Sequence, residues 1–203
     1  RRGKRDLEFE LVDTGVFDND RYFDVVVEYA KAGPDDILIR IEATNRGKVA
    51  APQHPLPTVW FRNTWSWGLD ARKPRLNREA AAEVAAIKLN HHYYGNRWLY
   101  CEGGPELLVT ENVTNAGLLY GGENESPYVK DAFNEYLVHG AKPAINPAAT
   151  GTKGAAHYQA TVAPGQRTTL RLRRSDAGPD KRRALNGNFG KLVDQRRGEA
   201  DEY

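Results

Sequence analysis

The stretch YFDVVVEYAKAGPDDILIRIEATN, residues 22–45, decides the fold class. Its two halves, Tyr22–Lys31 and Ile37–Asn45, are rich in the β-branched and aromatic residues that are typical of strands. Between them stands Ala32-Gly33-Pro34-Asp35-Asp36, whose glycine and proline favour a turn. The stretch therefore predicts two strands joined by a hairpin or a short loop.

Further short strand patterns lie on both sides of this stretch. Leu7-Glu8-Phe9-Glu10-Leu11 alternates apolar and acidic residues, as a half-buried strand does. Arg97–Glu102 and Glu106–Asn112 flank the turn Gly103-Gly104-Pro105. Each of these patterns predicts one more short strand.

A second hairpin is predicted near the C-terminus. Lys153–Val162 and Thr168–Arg174 alternate on either side of Ala163-Pro164-Gly165-Gln166. Many short strands with little helix indicate an all-β fold in which two antiparallel sheets pack together. We expect this β-domain to run from about Leu7 to Ser175.

Three segments favour helix instead. Glu79–Glu83 has high helix propensity and Asn77 could cap it, so a helical turn is expected there, followed by a strand over Val84–Asn90. Ser126–Tyr136 begins with Ser-Pro, which predicts one or two helical turns with Ser126 as the cap. Phe189–Tyr203 is expected to be helical as well.

The aromatic run TVWFRNTWSW, Thr58–Trp67, holds three of the chain's four tryptophans. Pro57 and Gly68 bound it, and its composition predicts a strand. Side chains alternate along a strand, so one face would carry Val59, Phe61, Asn63, Trp65 and Trp67. Flat indoles beside an amide or a guanidinium suit a sugar, although strand aromatics also pack into cores. Composition alone leaves both interpretations open.

Several blocks of sequence carry a family resemblance. In chain order they are YFDVVVEYAKAGPDDILIRIEATNRG (22–47), PLPTVWFRNTWSWG (55–68), ELLVTENVTN (106–115), NESPYVKDAFNEYLVHG (124–140) and INPAATGTKGAAHY (145–158). Together they resemble the N-terminal β-domain of bacterial proteins related to mannosyl-oligosaccharide glucosidase, the glycoside hydrolase family 63-like group. The resemblance implies a galactose mutarotase-like supersandwich over residues 1–175. Residues 176–203 would then form a linker and the start of a helical connector to an (α/α)6 barrel.

The resemblance also implies a function. The parent protein would be an inverting α-glycosidase acting on oligosaccharides, with its catalytic carboxylates in the barrel, so no catalytic residue is assigned to this chain. The β-domain would support the barrel and border its cleft, with the barrel and the oligosaccharide as its partners. The candidate cleft or interface residues are Arg62, Asn63, Trp65, Trp67, Tyr128, Lys130, Asp131 and His139.

Two other functions stay open. The tryptophan run could be the exposed platform of a stand-alone carbohydrate-binding module. A mutarotase-like epimerase would instead need a histidine and a glutamate on one concave face. His54, His139 and His157 with Glu28 or Glu111 supply those residue types, but no motif groups them.

Composition limits the remaining possibilities. The chain has 203 residues and a formal net charge of +2, which gives no electrostatic signature of nucleic-acid binding. No apolar run approaches the length of a membrane span. Cys101 is the only cysteine, so no internal disulfide can form, which favours a reducing, cytoplasmic setting.

No metal ligand set or cofactor motif is present, so neither is expected. The chain contains no methionine and begins with two arginines, which favours a fragment of a longer protein. A fragment would expose the surface that its missing neighbour covers, and self-association is therefore expected.

Overall fold

The computed structural model describes residues 3–79, 84–178, 185 and 187–203. Its strands are β1 Phe23–Gly33, β2 Asp36–Asn45, β3 Ala51–Gln53, β4 Thr58–Trp60, β5 Arg75–Glu79, β6 Ala85–His91, β7 Gly95–Cys101, β8 Glu106–Thr110, β9 Thr150–Gly151, β10 Lys153–His157, β11 Ala160–Val162 and β12 Arg167–Ser175. Its α-helices are α1 Ala116–Tyr120, α2 Ala132–His139 and α3 Phe189–Asp201. Short 3-10 turns cover Leu11–Thr14, Asp18–Asp20 and Lys142–Ala144.

Seven strands form the main antiparallel sheet, in the order β1-β2-β12-β7-β6-β5-β9. Three more, β4-β10-β8, form a smaller sheet, and β3 pairs with β11 in a two-stranded ribbon. The predicted hairpin over residues 22–45 is confirmed: β1 and β2 pair from Phe23 opposite Asn45 to Gly33 opposite Asp36. The predicted all-β fold with antiparallel sheets and a short C-terminal helix is likewise confirmed.

The main core lies between the seven-stranded and the three-stranded sheet. Every second residue of the large sheet points inward, including Leu76, Ile87 and Leu172, all fully buried. Ala156 of β10 reaches the same core from the small sheet. Cys101 lies there too, on a strand paired with β12 on one side and β6 on the other, and burial raises the pKa of its thiol to about 12.

One helix packs on the outer face of the seven-stranded sheet, and another packs on the outer face of the three-stranded sheet. Phe189 and Val193 of α3 pack on Ala30 and Leu38 of the β1–β2 hairpin. Phe133 of α2 packs on the small sheet against Leu108 and Ala155. The molecule is therefore layered helix, sheet, sheet, helix, and α3 is part of the packed structure.

One strand prediction and one hairpin prediction are wrong. Leu7–Leu11 is not a strand, and its apolar side chains are exposed. The turn at residues 163–166 does form, with Gln166 N donating to Ala163 O over 3.0 Å. However, it joins strands of different sheets, because β11 pairs with β3 while β12 inserts between β2 and β7. A turn pattern fixes the local reversal of the chain but not the partner of each strand.

The helix predictions are corrected in position. Ser126 does not cap a helix, because α2 begins six residues later at Ala132 and Asp131 is its N-terminal cap residue. Asn77 lies inside β5, so it is not a cap either. Residues 80–83, where most of the expected helical turn falls, lie outside the described residues, whereas the strand expected after them is present as β6.

The aromatic run is mostly not a strand. Only Thr58–Trp60 pairs in a sheet, as β4, and a turn follows in which Gly68 N donates to Trp65 O. The alternation of faces expected as far as Trp67 therefore stops at Trp60. Phe61 still packs against the main core.

Candidate functional site

A cavity of about 460 Å³ lies where the aromatic run meets the end of β8, and we call it the indole cavity. Its lining residues come from the 63–67 turn, from the segment after β8 and from the loop before α2. They are Asn63, Ser66, Trp67, Asn112, Val113, Thr114, Ala116, Glu123, Asn124, Glu125 and Lys130. Amides, carboxylates and one ammonium group thus line the cavity beside one aromatic ring.

Two asparagines clamp the aromatic turn to β8. Asn63 Nδ2 donates to Asn112 O over 2.8 Å, and Asn112 Nδ2 donates back to Phe61 O over 3.1 Å. Asn63 Oδ1 also accepts from Ser66 N at 3.0 Å, which closes the turn that ends the strand. Asparagine favours such turns because its side chain can replace a backbone partner. The clamp fixes the wall of the cavity.

A second pair of asparagines holds together the wall that Ala116 and residues 123–125 contribute to the cavity. Asn115 caps α1 by accepting from Leu118 N at 3.1 Å, and it accepts from Asn124 Nδ2 at 2.9 Å. Asn124 Oδ1 in turn accepts from Gly117 N. Asn115 Nδ2 donates to Asp131 Oδ2 over 3.0 Å, which ties this wall to the start of α2.

Two lysines contribute positive charge to the site. Lys130 Nζ donates to Thr114 Oγ1 over 3.1 Å at the cavity surface. Lys153 Nζ donates to Lys130 O from beneath it. Burial lowers the pKa of Lys153, although the nearby Asp131 carboxylate opposes that shift. Asp131 Oδ1 is itself buried and has no hydrogen-bond partner among the described residues.

The two neighbouring tryptophans differ in exposure. Trp67 is 68% exposed at the cavity, whereas Trp65 is half-buried. The Trp65 Nε1 atom is buried, and within the described parts of the chain it has no hydrogen-bond partner. Trp67 therefore presents a free aromatic face, and Trp65 contributes mainly to packing of the turn.

The structure groups some of the predicted site residues and separates others. Asn63, Trp67 and Lys130 line the cavity together, and Asp131 reaches its wall through Asn115. The remaining candidates do not line the cavity: they are Arg62, Trp65, Tyr128 and His139, and His139 is exposed at the end of α2. Sequence reasoning missed Asn112, Asn115 and Asn124 as site residues. Their signal was the recurrence of asparagine beside strand ends and glycines, where side chains replace backbone partners.

A smaller cavity of about 260 Å³ is lined by residues 73–75, by Glu111 and by residues 150–152. Glu111 lies in it, 3.0 Å from Lys73 Nζ and 2.7 Å from Thr152 Oγ1, and that hydroxyl also accepts from Asn112 N. The backbone of Gly151 approaches β8 so closely that a Cβ atom there would lie 2.2 Å from Thr110 O. Only glycine fits this position, because any side chain would collide with backbone.

A histidine pair forms a third polar group, on the outer face of the small sheet. His54 Nδ1 lies 2.9 Å from His157 Nε2, and His157 Nδ1 lies 3.1 Å from Glu106 Oε2. Tyr136 of α2 donates to Glu106 Oε1 over 2.7 Å. Burial raises the pKa of Glu106, but the bonds from Tyr136 and His157 outweigh it and leave that pKa lowered.

The histidine pair does not join either carboxylate considered from the sequence. Glu28 is bonded to Arg40 and Arg197 on the α3 side of the large sheet, and Glu111 lies in the smaller cavity. Within the described ranges, no three His, Cys, Asp or Glu side chains are grouped to hold a metal ion. None of the helices in the described part of the chain is both long and apolar enough to cross a membrane.

Comparison with known proteins identifies a relative but no family. No family model matches the chain. The chain is 33% identical over 243 aligned residues to the uncharacterized protein YMR196W of Saccharomyces cerevisiae. The alignment takes in 100% of this chain but only 22% of the yeast protein, so the chain spans about a fifth of the length of this curated relative.

Proposed function

We propose that this chain is the non-catalytic β-domain of an inverting α-glycosidase that acts on oligosaccharides, and that the indole cavity borders the substrate cleft. The observation that carries the proposal is the exposed Trp67 ring beside a cavity lined by amide, carboxylate and ammonium groups. An indole stacks on the apolar C–H face of a sugar ring, and such polar groups bond its hydroxyls. The cavity volume lies in the range of small-ligand sites.

The proposal assigns the chemical step to another part of the longer protein. Inversion requires an acid and a base about 6.5–9.5 Å apart on opposite faces of one glycosidic bond. By resemblance, both carboxylates belong to an (α/α)6 barrel that follows α3. The coverage of only 22% of the yeast protein supports a setting with further domains. A cytoplasmic location is part of the proposal, supported by the single, buried cysteine.

A test of this function uses the longer protein that contains the chain. We expect it to hydrolyse α-linked glucose oligosaccharides with inversion, which NMR of the first-formed anomer detects. Trp67→Ala should lower kcat/KM by about tenfold, the equivalent of about 1.4 kcal/mol. Trp60→Ala is the matched control, because Trp60 is also exposed but does not line the cavity. Equal losses in the two variants, or no hydrolysis of any α-glucoside, would refute the proposal.

The exposure of Trp67 also favours a second function, a stand-alone carbohydrate-binding module. Calorimetric titration of the 203-residue chain with the same oligosaccharides separates the two. A module binds them by itself, with Trp67→Ala abolishing the heat. A cleft-bordering domain binds them only weakly without its barrel.

A further inference from the structure

β1 leaves a long free edge on the large sheet. It is an eleven-residue strand at one end of the strand order, whereas β9 at the other end has two residues. A long edge strand presents a row of unpaired N–H and C=O groups that another strand can bond. No strand in the described part of the chain pairs with the outer side of β1.

The hydrogen-bond pattern identifies which backbone groups face this edge. Arg46 N donates to Tyr22 O over 3.0 Å, so these two residues form a bonded pair at the start of the ladder. Bonded pairs alternate along antiparallel strands, so every second residue from Asp24 onward bonds to β2. The residues between them point their backbone groups away from the sheet.

Val25, Val27 and Tyr29 point their backbone N–H and C=O groups toward the free edge of β1. Lys31 continues the same series, and its carbonyl oxygen accepts from Arg196 Nε at 2.9 Å outside the ladder, as the alternation requires. The side chains of the three residues share the inner face of the large sheet and are 57%, 43% and 71% exposed, in chain order. These exposures show that the inner face of β1 is largely uncovered. The free edge thus combines unpaired backbone with an uncovered apolar row.

The edge is complementary to itself. Two copies of β1 related by a two-fold axis at Val27 place Val27 opposite Val27 and Val25 opposite Tyr29. An aromatic residue opposite a β-branched one is a favourable cross-strand pair. On the other face, Val26 lies opposite Glu28 and Asp24 opposite Ala30 in this register. No two like charges face each other.

We propose that the free edge of β1 binds β1 of a second copy of this chain, in an antiparallel pair with its two-fold axis at Val27. The pairing joins two seven-stranded sheets into one continuous sheet and brings together the apolar rows of both copies. It uses the same surface on each subunit, as closed dimers do. It leaves the indole cavity, built from the 63–67 turn and the segments around α1, outside the interface.

Cysteine scanning tests this register, because the native thiol, Cys101, is buried and cannot form an inter-chain disulfide while the chain is folded. Val27→Cys should form an inter-chain disulfide on mild oxidation, since residues opposite each other on paired strands lie within disulfide reach. Val25→Cys alone should form none, because its counterpart in the second copy lies across from Tyr29. The double variant Val25→Cys with Tyr29→Cys should restore the cross-link. Equal cross-linking of the two single variants would overturn the proposal.

Sedimentation of the 203-residue chain provides the second test. We expect a concentration-dependent dimer whose dissociation constant rises at least about tenfold in Val27→Lys, because two charges then meet at the axis. Val49→Lys is the control, an exposed valine outside β1. Circular dichroism checks that each variant folds, and the cysteine variants decide the outcome if the lysine variant does not.

A monomeric chain would refute the pairing. If the chain stays monomeric and the thiol introduced by Val27→Cys is freely alkylated, then another segment of the longer protein or nothing binds the edge, and the proposal fails.

Discussion

Residues 22–45 and residues 58–68 have similar compositions but form different structures. Both are rich in β-branched and aromatic residues, yet the first forms two long strands and the second is paired only over Thr58–Trp60. In the second segment, Asn63 Oδ1 accepts from Ser66 N, and Gly68 adopts a φ of 68°. A side chain that bonds nearby backbone competes with a sheet for the same groups. Strand composition therefore predicts a strand only where no such competitor interrupts it.

The two regions also differ in what stabilises them. The hairpin is held by apolar side chains buried against α3 and against the main core. The aromatic turn is held by hydrogen bonds from Asn63 and Asn112. Substitutions in the hairpin should therefore cost burial energy, and those in the turn should cost hydrogen bonds.

The largest effect is expected from Leu38→Ala. Leu38 of β2 is buried beneath α3. Truncating a buried leucine costs about 2–5 kcal/mol of unfolding free energy. Urea denaturation followed by circular dichroism measures the loss. Val49→Ala, at an exposed valine, should change stability by no more than about 0.5 kcal/mol. A loss in Leu38→Ala as small as that of the control would show that α3 does not cover the hairpin.

Asn63→Ala should cost about 1–3 kcal/mol, because it leaves Asn112 O and Ser66 N without their partner. Tryptophan fluorescence during denaturation follows the same turn through Trp65 and Trp67. Asn90→Ala is the control, since Asn90 is exposed and its side chain bonds only to the Asn96 side chain among the described contacts. Similar costs in both variants would mean that the clamp does not hold the turn.

Much of the large sheet could be predicted from the sequence, because strands and turns depend on residues that are close together in the chain. Alternation and turn residues specify β1, β2 and β7 of this sheet within a few residues, as they do β8 of the small sheet. Which strands become neighbours could not be predicted, because β12 inserts between β2 and β7 through contacts distant in sequence. Leu7–Leu11 shows the same limit: it alternates correctly, but its apolar side chains stay exposed.

The candidate site was only partly predictable. Trp67 and Asn63 could be named because aromatic and amide groups suit sugars, and both line the indole cavity. Asn115 and Asn124 could be recognised as turn-forming residues but not as site residues, because their role depends on a five-residue helix, α1, that carries no strong helix signal in the sequence. Whether these residues bind a sugar stays a prediction.

A smaller effect is expected at Glu28, on the face of the hairpin that meets α3. The hydrogen bond from Arg40, assisted by Arg197, lowers the pKa of Glu28 from 4.5. A lowered folded-state pKa gives stability that is present above pH 4.5 and lost as the pH falls through the folded-state value. Glu28→Gln should therefore lower stability at neutral pH by up to about 1 kcal/mol and flatten the dependence of stability on pH in the acid range.

Denaturant midpoints of the wild type and Glu28→Gln between about pH 3 and about pH 7 check this. Glu42→Gln is the control, since Glu42 lies on the same face of the sheet as Glu28 but pairs with Arg167, whose side chain is exposed. If the denaturant midpoint of Glu28→Gln falls with acid pH as steeply as that of the wild type, other carboxylates cause the loss of stability in acid.

The smallest change in stability is expected from Trp67→Ala, within about 0.5 kcal/mol, because the ring is largely exposed. Trp65→Ala should cost more, since that ring is half-buried. Denaturant midpoints of both variants sharpen the contrast between a ring that packs and one that is free to bind. A costly Trp67→Ala would place that ring among the packing residues of the turn.

The buried position of Cys101 makes its thiol a native probe of how often the main core opens. A thiol reacts with a maleimide as its thiolate, and burial among its neighbouring strands raises the pKa of this thiol to about 12. Alkylation at neutral pH therefore proceeds only in the moments when the central strands separate. The rate at which the thiol of the unmodified chain is labelled gives the free energy of opening of the main core, and no engineered cysteine is needed. The same measurement, repeated with oligosaccharide or at rising protein concentration, reports whether either one slows that opening.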